Sequence, residues 1–186
     1  MRCLSFLLLV SFLLVGDPTR AQHAALPVAA TTAAPPTADE VLKEARRVAA
    51  KEGKNVLILF HASWCGWCHK MQRAMEEPAM KPLFEQHFVI RWLTVYESPN
   101  KKALENPGAE DLLKKHKGAD LGIPYFLVFD AKGALLGDSQ RAPGENVGCP
   151  AQDNEVAHFI GLLRRTTRLT PAELAAIEDR FKKNKS

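Results

Sequence analysis

The sequence predicts an α/β fold: a central mixed β-sheet flanked by helices, with an additional helix at the C-terminus. Three observations predict it. Segments of helical period alternate with short apolar runs in the order helix, strand, helix, strand, helix, strand, strand, helix, helix, an order that implies a mixed sheet covered by helices on both faces. Val56-Leu57-Ile58-Leu59-Phe60 is an unbroken apolar run bounded by turn formers, the pattern of a strand buried on both sides. Asp130-Ala131-Lys132-Gly133 joins two apolar runs as a hairpin turn.

The N-terminus sets the compartment. Met1-Arg2 gives a positive start, Leu4 to Val15 is apolar apart from Ser5 and Ser11, and Gly16-Asp17-Pro18 breaks a helix. Thr19 and Ala21 then place small residues three and one before a cut. Together these make residues 1–21 a secretory signal peptide, and the chain is expected in the periplasm or secreted. An uncleaved N-terminal anchor is the alternative, although the run is shorter than the about 20 apolar residues a spanning helix needs. Cys3 precedes the apolar run, so it is not a lipoprotein cysteine. No later stretch resembles a membrane span. Residues 22–36 are rich in Ala, Thr and Pro and read as a spacer. Residues 37–186 form the expected folded domain.

Within it, Thr37 and Glu40 have capping-box spacing, and Val41, Leu42, Ala45, Val48 and Ala49 share one helical face. Gly53 suits the C-cap. A strand over Val56–Phe60 leads into His61-Ala62-Ser63-Trp64-Cys65-Gly66-Trp67-Cys68-His69, with a helix expected from about Cys65 to Glu77. Pro78 and Pro82 allow a short helix around Leu83 to Gln86. Phe88 to Val95 reads as a strand, Glu97 to Gly108 as a loop, and Ala109 to His116 as a short helix. Strands follow at Tyr125–Phe129 and Ala134–Leu136, and Gly137 to Gln152 is irregular. A helix capped by Asp153 or Asn154 carries Val156, Phe159, Ile160 and Leu163 inward. The last helix opens on Thr170-Pro171-Ala172-Glu173 and presents Leu174, Ile177 and Phe181.

Net charge is +4, and the basic residues are dispersed apart from Lys182, Lys183 and Lys185 near the end. This argues against a nucleic-acid partner. Of the four cysteines, Cys3 leaves with the signal peptide. Cys65, Cys68 and Cys149 cannot form a disulfide framework. Two cysteines at i and i+3 in the first turn of a helix can, however, reach disulfide geometry. Cys65 is expected to be exposed at the helix start, where the dipole favours a thiolate, and to act as the attacking sulfur. Cys68 is expected one turn inside, more buried, and to resolve the mixed disulfide by attacking the Cys65 sulfur. His69 and His61 are candidates for tuning the thiolate, and Trp64 and Trp67 for an apolar contact surface. Cys149 reads as a free thiol in a Gly/Pro loop.

Cysteine pairs also occur in zinc and haem sites. Zinc needs a second ligand pair, and Cys149 with His69 or His61 matches no common spacing, so no metal or cofactor is expected. Cys65-Gly66-Trp67-Cys68-His69 also fits the c-type haem attachment pattern. A buried strand running straight into the pair, a Trp before the first cysteine and an Ile-Pro at a later strand favour redox chemistry over haem.

Trp64-Cys65-Gly66-Trp67-Cys68 resembles the thioredoxin active-site motif Trp-Cys-Gly-Pro-Cys. Gly122-Ile123-Pro124 with the following strand and Asp130-Ala131-Lys132-Gly133 resembles the thioredoxin cis-proline segment. The resemblance covers about Asp39 to Leu163. It implies a thioredoxin-like fold and thiol–disulfide oxidoreductase activity on protein substrates with thiols or disulfides, together with a redox partner protein. It also implies a cis bond at Pro124 and backbone pairing of substrate at Ile123, with Trp64, Gly66, Trp67, Ile123 and Pro124 as the substrate-binding set. A thioredoxin-fold binding module that keeps the pair without turnover is the second reading. Four departures stand out. Gly-Trp replaces Gly-Pro between the cysteines. Leu59 takes the place of a buried Asp, whose proton-transfer role would be lost or pass to water, His61 or His69. The segment before Pro124 is longer, and the helix from Pro171 is an addition.

Overall fold

The computed structural model describes residues 34–185. The expected signal peptide (residues 1–21) and most of the expected 22–36 spacer lie outside the described residues. Helix α1 (Ala38–Glu52) begins with the expected capping box: the Thr37 hydroxyl accepts the Glu40 N–H at 3.2 Å, and the Glu40 carboxylate accepts the Thr37 N–H at 2.8 Å. It ends at Gly53, whose φ of 66° is left-handed and costs glycine little. Then follow β1 (Asn55–His61), α2 (Gly66–Glu76), α3 (Lys81–Glu85), β2 (Phe88–Thr94), a 3-10 turn (Pro99–Leu104) and α4 (Ala109–Lys115). The second half holds β3 (Tyr125–Phe129), β4 (Leu135–Asp138), the hairpin β5 (Gln140–Ala142) and β6 (Glu145–Asn146), α5 (Asp153–Thr166) and α6 (Pro171–Lys182).

The main sheet has the order β2-β1-β3-β4, with β1 parallel to β2 and antiparallel to β3, and β3 antiparallel to β4. It is the mixed sheet the sequence implies, and β1 lies inside it. The apolar run of β1 is divided by the pleat, because successive side chains point to opposite faces. Leu57 and Leu59 enter a core built with α2, α3, α5 and α6, whereas Val56, Ile58 and Phe60 enter the core under α1 and α4. Every residue from Val56 to Phe60 is at most 1% exposed, which explains why the run does not alternate with polar residues.

Helix α6 is an addition to the motif but not an appendage. Leu174, Ile177 and Phe181 are buried in the same core as Leu59 and Met71. The Phe159 ring meets Phe181 at 4.8 Å, Phe126 at 5.6 Å and Phe84 at 6.2 Å between centroids, so an aromatic cluster ties α5, α6, α3 and β3 together. Several local readings change. Helix α5 is capped by Gln152 and not by Asp153 or Asn154. The segment expected as a loop over Glu97 to Gly108 contains the 3-10 turn. The stretch from Gly137 is not irregular throughout: β4 extends to Asp138, and β5 and β6 form a separate two-stranded hairpin. Helix α2 starts one residue late, with Cys65 as its cap.

Candidate active site

Strand β1 delivers the chain to His61, and a short turn through Ala62, Ser63 and Trp64 leads to Cys65. There is no Ser, Thr, Asp or Asn at the cap of α2. The Cys65 sulfur takes that role and accepts the Cys68 N–H at 3.1 Å. One of the unpaired donors of the helix start is thus aimed at this sulfur, and the dipole of α2 adds to it. Cys65 and Cys68 form a disulfide with Cα atoms 5.3 Å apart.

The expectation that Cys65 is exposed is corrected. Cys65 is 3% exposed and Cys68 1%, and both pack with Ala62 and against Ile123. The loop before β3, distant in sequence, covers the first cysteine. What separates the two sulfurs is therefore the cap hydrogen bond more than burial. The indoles supply the exposed surface instead: Trp64 is 59% and Trp67 52% exposed, and Gly66 between the cysteines is also open. Lys70 lies over the Trp67 ring, 4.9 Å from its centroid. Met71 and Met75 are buried in the core, as helical spacing suggests.

The Ile123–Pro124 peptide is cis. The Ile123 carbonyl oxygen lies 3.6 Å from the Cys65 sulfur, and Pro124 is buried behind it. An open groove of about 290 Å³ runs alongside, between Trp67, the Leu121–Pro124 loop and the Asn146–Cys149 segment. The Asn146 amide nitrogen sits 3.1 Å from each of the Leu121, Gly122 and Pro124 carbonyls, and its oxygen accepts the Gly148 N–H at 3.0 Å. Asn146 therefore clasps the loop that faces the sulfur pair.

The two histidines are engaged elsewhere. The His69 ring binds the Ser63 carbonyl through Nε2 at 2.9 Å, so Nε2 carries the proton. The His61 ring contacts the Thr94 hydroxyl at 3.1 Å and the edge or face of Trp92. Burial, with His69 nearby, holds His61 below its ordinary value, Glu97 partly offsetting this. Leu59 is fully buried and apolar, so no acid lies at that position. Cys149 is a free thiol, buried, and burial pushes its pKa up to about 12. The Asn184 amide donates to its sulfur at 3.4 Å. Among the described residues no cluster of three or more His, Cys, Asp or Glu is arranged to hold a metal.

Sequence reasoning missed Glu97, Ser63 and Asn146. Glu97 and Asn146 fall in segments that read as loop or irregular, and no period marks them. The only sequence cue for Ser63 is its place just before Trp64.

Known proteins resemble this chain. A family model described as thioredoxin-like matches residues 37–131. A segment of 92 residues is 35% identical to protein disulfide isomerase-like 1-3 of Oryza sativa subsp. japonica; it covers 48% of this chain but only 16% of that protein. The chain thus spans well under a fifth of the curated relative it matches. Among solved structures, it is similar to a disulphide isomerase from Xylella fastidiosa Temecula1, with 18% identity, 88% of this chain and 99% of that chain covered, and a TM-score of 0.46. It is also similar to a thioredoxin from Thermus thermophilus, with 21% identity, 66% and 80% covered, and a TM-score of 0.42. Matched from the cap of α1 through the cysteine pair and the cis-proline to the turn after β3, the chain belongs to the thioredoxin-like family.

Proposed function

We propose that this protein is an exported thiol–disulfide oxidoreductase that exchanges disulfides with protein substrates through Cys65 and Cys68. The observation that carries the reading is the Cys65 sulfur itself. It accepts the Cys68 N–H at the start of α2 and lies beside the carbonyl of Ile123, a residue that lines an open groove. The 35% identity to part of a protein disulfide isomerase-like protein supports the same chemistry.

In the reducing direction, the Cys65 thiolate attacks one sulfur of a substrate disulfide. A Cys65–substrate disulfide forms, and the other substrate sulfur leaves as a thiolate that takes up a proton. Cys68, deprotonated, then attacks the Cys65 sulfur. The Cys65–Cys68 disulfide forms and the second substrate thiolate departs. Two electrons pass from the pair to the substrate, and the reverse sequence oxidises a substrate dithiol. Direction is set by the potential of the partner that recharges the pair. The groove beside Ile123 and Pro124 suits an extended polypeptide held by backbone hydrogen bonds, and Trp64, Gly66 and Trp67 offer its side chains an open, partly apolar face. His61 and His69 stand next to the pair, on Thr94 and Ser63, and are the candidates for tuning the thiolate.

Export rests on the Leu4–Val15 run and the small residues before Gln22. A partition into signal peptide (1–21), spacer (22–36) and folded domain (37–186) is supported by α1 being capped at Thr37. No helix among the described residues is long and apolar enough to cross a membrane.

Reduction of insulin disulfides by the purified protein with dithiothreitol, together with a gain of two thiols per chain when the Cys65–Cys68 disulfide is reduced, tests the reading. Catalysed precipitation of insulin chains is expected, lost in Cys65→Ala. A parent protein that gains the two thiols but never turns over is a binding module. A visible haem absorption band would assign the pair to covalent haem instead.

A further inference from the structure

The turn that presents Cys65 is held from outside its own element. Tyr96 and Glu97 follow β2 and grip Ser63 and Trp64, the two residues before Cys65. The Trp64 indole N–H donates to the Tyr96 carbonyl at 2.7 Å. The Ser63 N–H donates to Glu97 Oε1, and the Ser63 hydroxyl donates to Glu97 Oε2 at 2.8 Å. Tyr96 has a φ of 55°, an uncommon left-handed conformation for a bulky residue. Glu97 is anchored in turn: its own N–H donates to Glu105 Oε1 at 2.7 Å.

Glu97 is 4% exposed, one of few buried polar residues in the described chain. A buried carboxylate is costly unless its oxygens are satisfied, and here each oxygen takes one Ser63 donor. The titratable groups around it come from three other elements. Lys101 of the 3-10 turn donates to the Ser63 hydroxyl at 3.2 Å, His61 ends β1, and His69 of α2 binds the Ser63 carbonyl. Burial pushes the Glu97 carboxyl up, but the two Ser63 donors, Lys101 and His61 outweigh it, so it stays ionised below its ordinary value. Glu97, Lys101 and His69 converge on one residue, Ser63, two positions before the reactive sulfur.

We propose that Glu97 is a positioning residue for the redox pair: by holding both donors of Ser63 it fixes the turn that aims the Cys65 sulfur at the Cys68 N–H. The proposal rests on the reading of Cys65 as the attacking sulfur. Glu97 does not touch the reacting atoms. It acts through the backbone, keeping a single hydrogen bond to the sulfur aligned. That bond is neutral when Cys65 is a thiol and charge-assisted when it is a thiolate, so its alignment selectively favours the reactive form.

The test is alkylation of the reduced full-length protein by iodoacetamide, with modification of Cys65 followed by mass spectrometry across a pH series. Parent, Glu97→Ala, Glu97→Gln and Ser63→Ala are compared, and circular dichroism checks that each is folded. In Glu97→Ala, alkylation at neutral pH is expected to fall about tenfold, the scale of one misaligned bond to a charged group, and the profile to move to higher pH. Glu97→Gln keeps the shape and an acceptor oxygen and is expected to recover all but about threefold of that loss. Ser63→Ala keeps the backbone bond and should fall between them. A folded Glu97→Ala that alkylates at the parent rate with the parent profile overturns the proposal. So does Glu97→Gln reacting as slowly as Glu97→Ala, which would make charge and not position the cause. If Glu97→Ala does not fold, Ser63→Ala decides: the parent rate there overturns the proposal. Insulin turnover of the parent is measured alongside. Its absence removes the exchange reading while the alkylation series still ranks the variants, so the two failures are distinct.

Discussion

Replacing Asn146 separates substrate holding from sulfur chemistry. Its side-chain nitrogen carries two donors and faces three carbonyls, of Leu121, Gly122 and Pro124, each at 3.1 Å. At most two strong bonds exist at once, and each contributes about 1 kcal/mol net. Asn146 is half-buried, so water takes over part of the loss in Asn146→Ala. A destabilisation of about 1–2 kcal/mol follows, or roughly 3–6 °C in Tm for a domain of this size. The loop it releases carries the Ile123 and Pro124 backbone. KM for a protein disulfide should therefore rise about fivefold to tenfold, the equivalent of one lost backbone bond. Turnover of a small aromatic disulfide, which needs only the sulfur pair, should change much less. Asn146→Asp is a stronger perturbation, because a carboxylate would face the three carbonyl oxygens with no donor. The order of damage should be Asp above Ala above parent, in both denaturant midpoint and KM. Equal losses on protein and small disulfides, or an Asp variant as stable as the parent, would refute the clasp.

Other outcomes follow from the same geometry. Cys68→Ala should accumulate reductant-sensitive adducts with partner proteins on non-reducing gels, because attack survives and resolution does not; Cys65→Ala should trap nothing, and the opposite pattern would exchange the two roles. Cys149, which burial pushes up to about 12 and which has no helix-start N–H on its sulfur as Cys65 does, should resist alkylation at neutral pH in the reduced native protein and react only after unfolding; labelling at the rate of Cys65 would contradict the raised value. Phe159→Ala removes a ring packed against three others and should cost about 3–5 kcal/mol, read as a shift in urea midpoint; a loss below 1 kcal/mol, on that same scale, would mean the cluster does not hold α6 to the core. His61, His87 and His116 are each held below their ordinary value of 6.5, burial being the leading cause. The unfolded chain then takes protons first as pH falls, so stability should decline once pH drops below 6.5. Glu97 adds to this: its contribution is complete above 4.5 and is lost as pH falls further through its lowered value. A denaturant midpoint that stays flat from above 6.5 down to 4.5 would contradict the histidine assignment.

The sequence by itself determined the features whose causes lie within a few residues. Thr37 with Glu40 and Thr170 with Glu173 mark helix starts because a cap bonds only three residues ahead. The Val56–Phe60 run reads as an interior strand because both pleat faces are dry. Cys65 and Cys68 announce their chemistry because one helical turn separates sulfurs by a bondable distance. Tertiary structure decided how that chemistry is housed. Cys65 is covered by Ile123, 58 residues away, although a helix start alone reads as exposed. Ser63 is gripped by Glu97 across 34 residues, and the proline loop is clasped by Asn146 from 22 residues beyond Pro124. None of these partners shares a period or a motif with what it holds. They meet because β1 lies between β2 and β3, which brings the loop after β2 and the loop before β3 to the same end of the sheet as Cys65. That juxtaposition is a property of strand order, which local spacing does not encode.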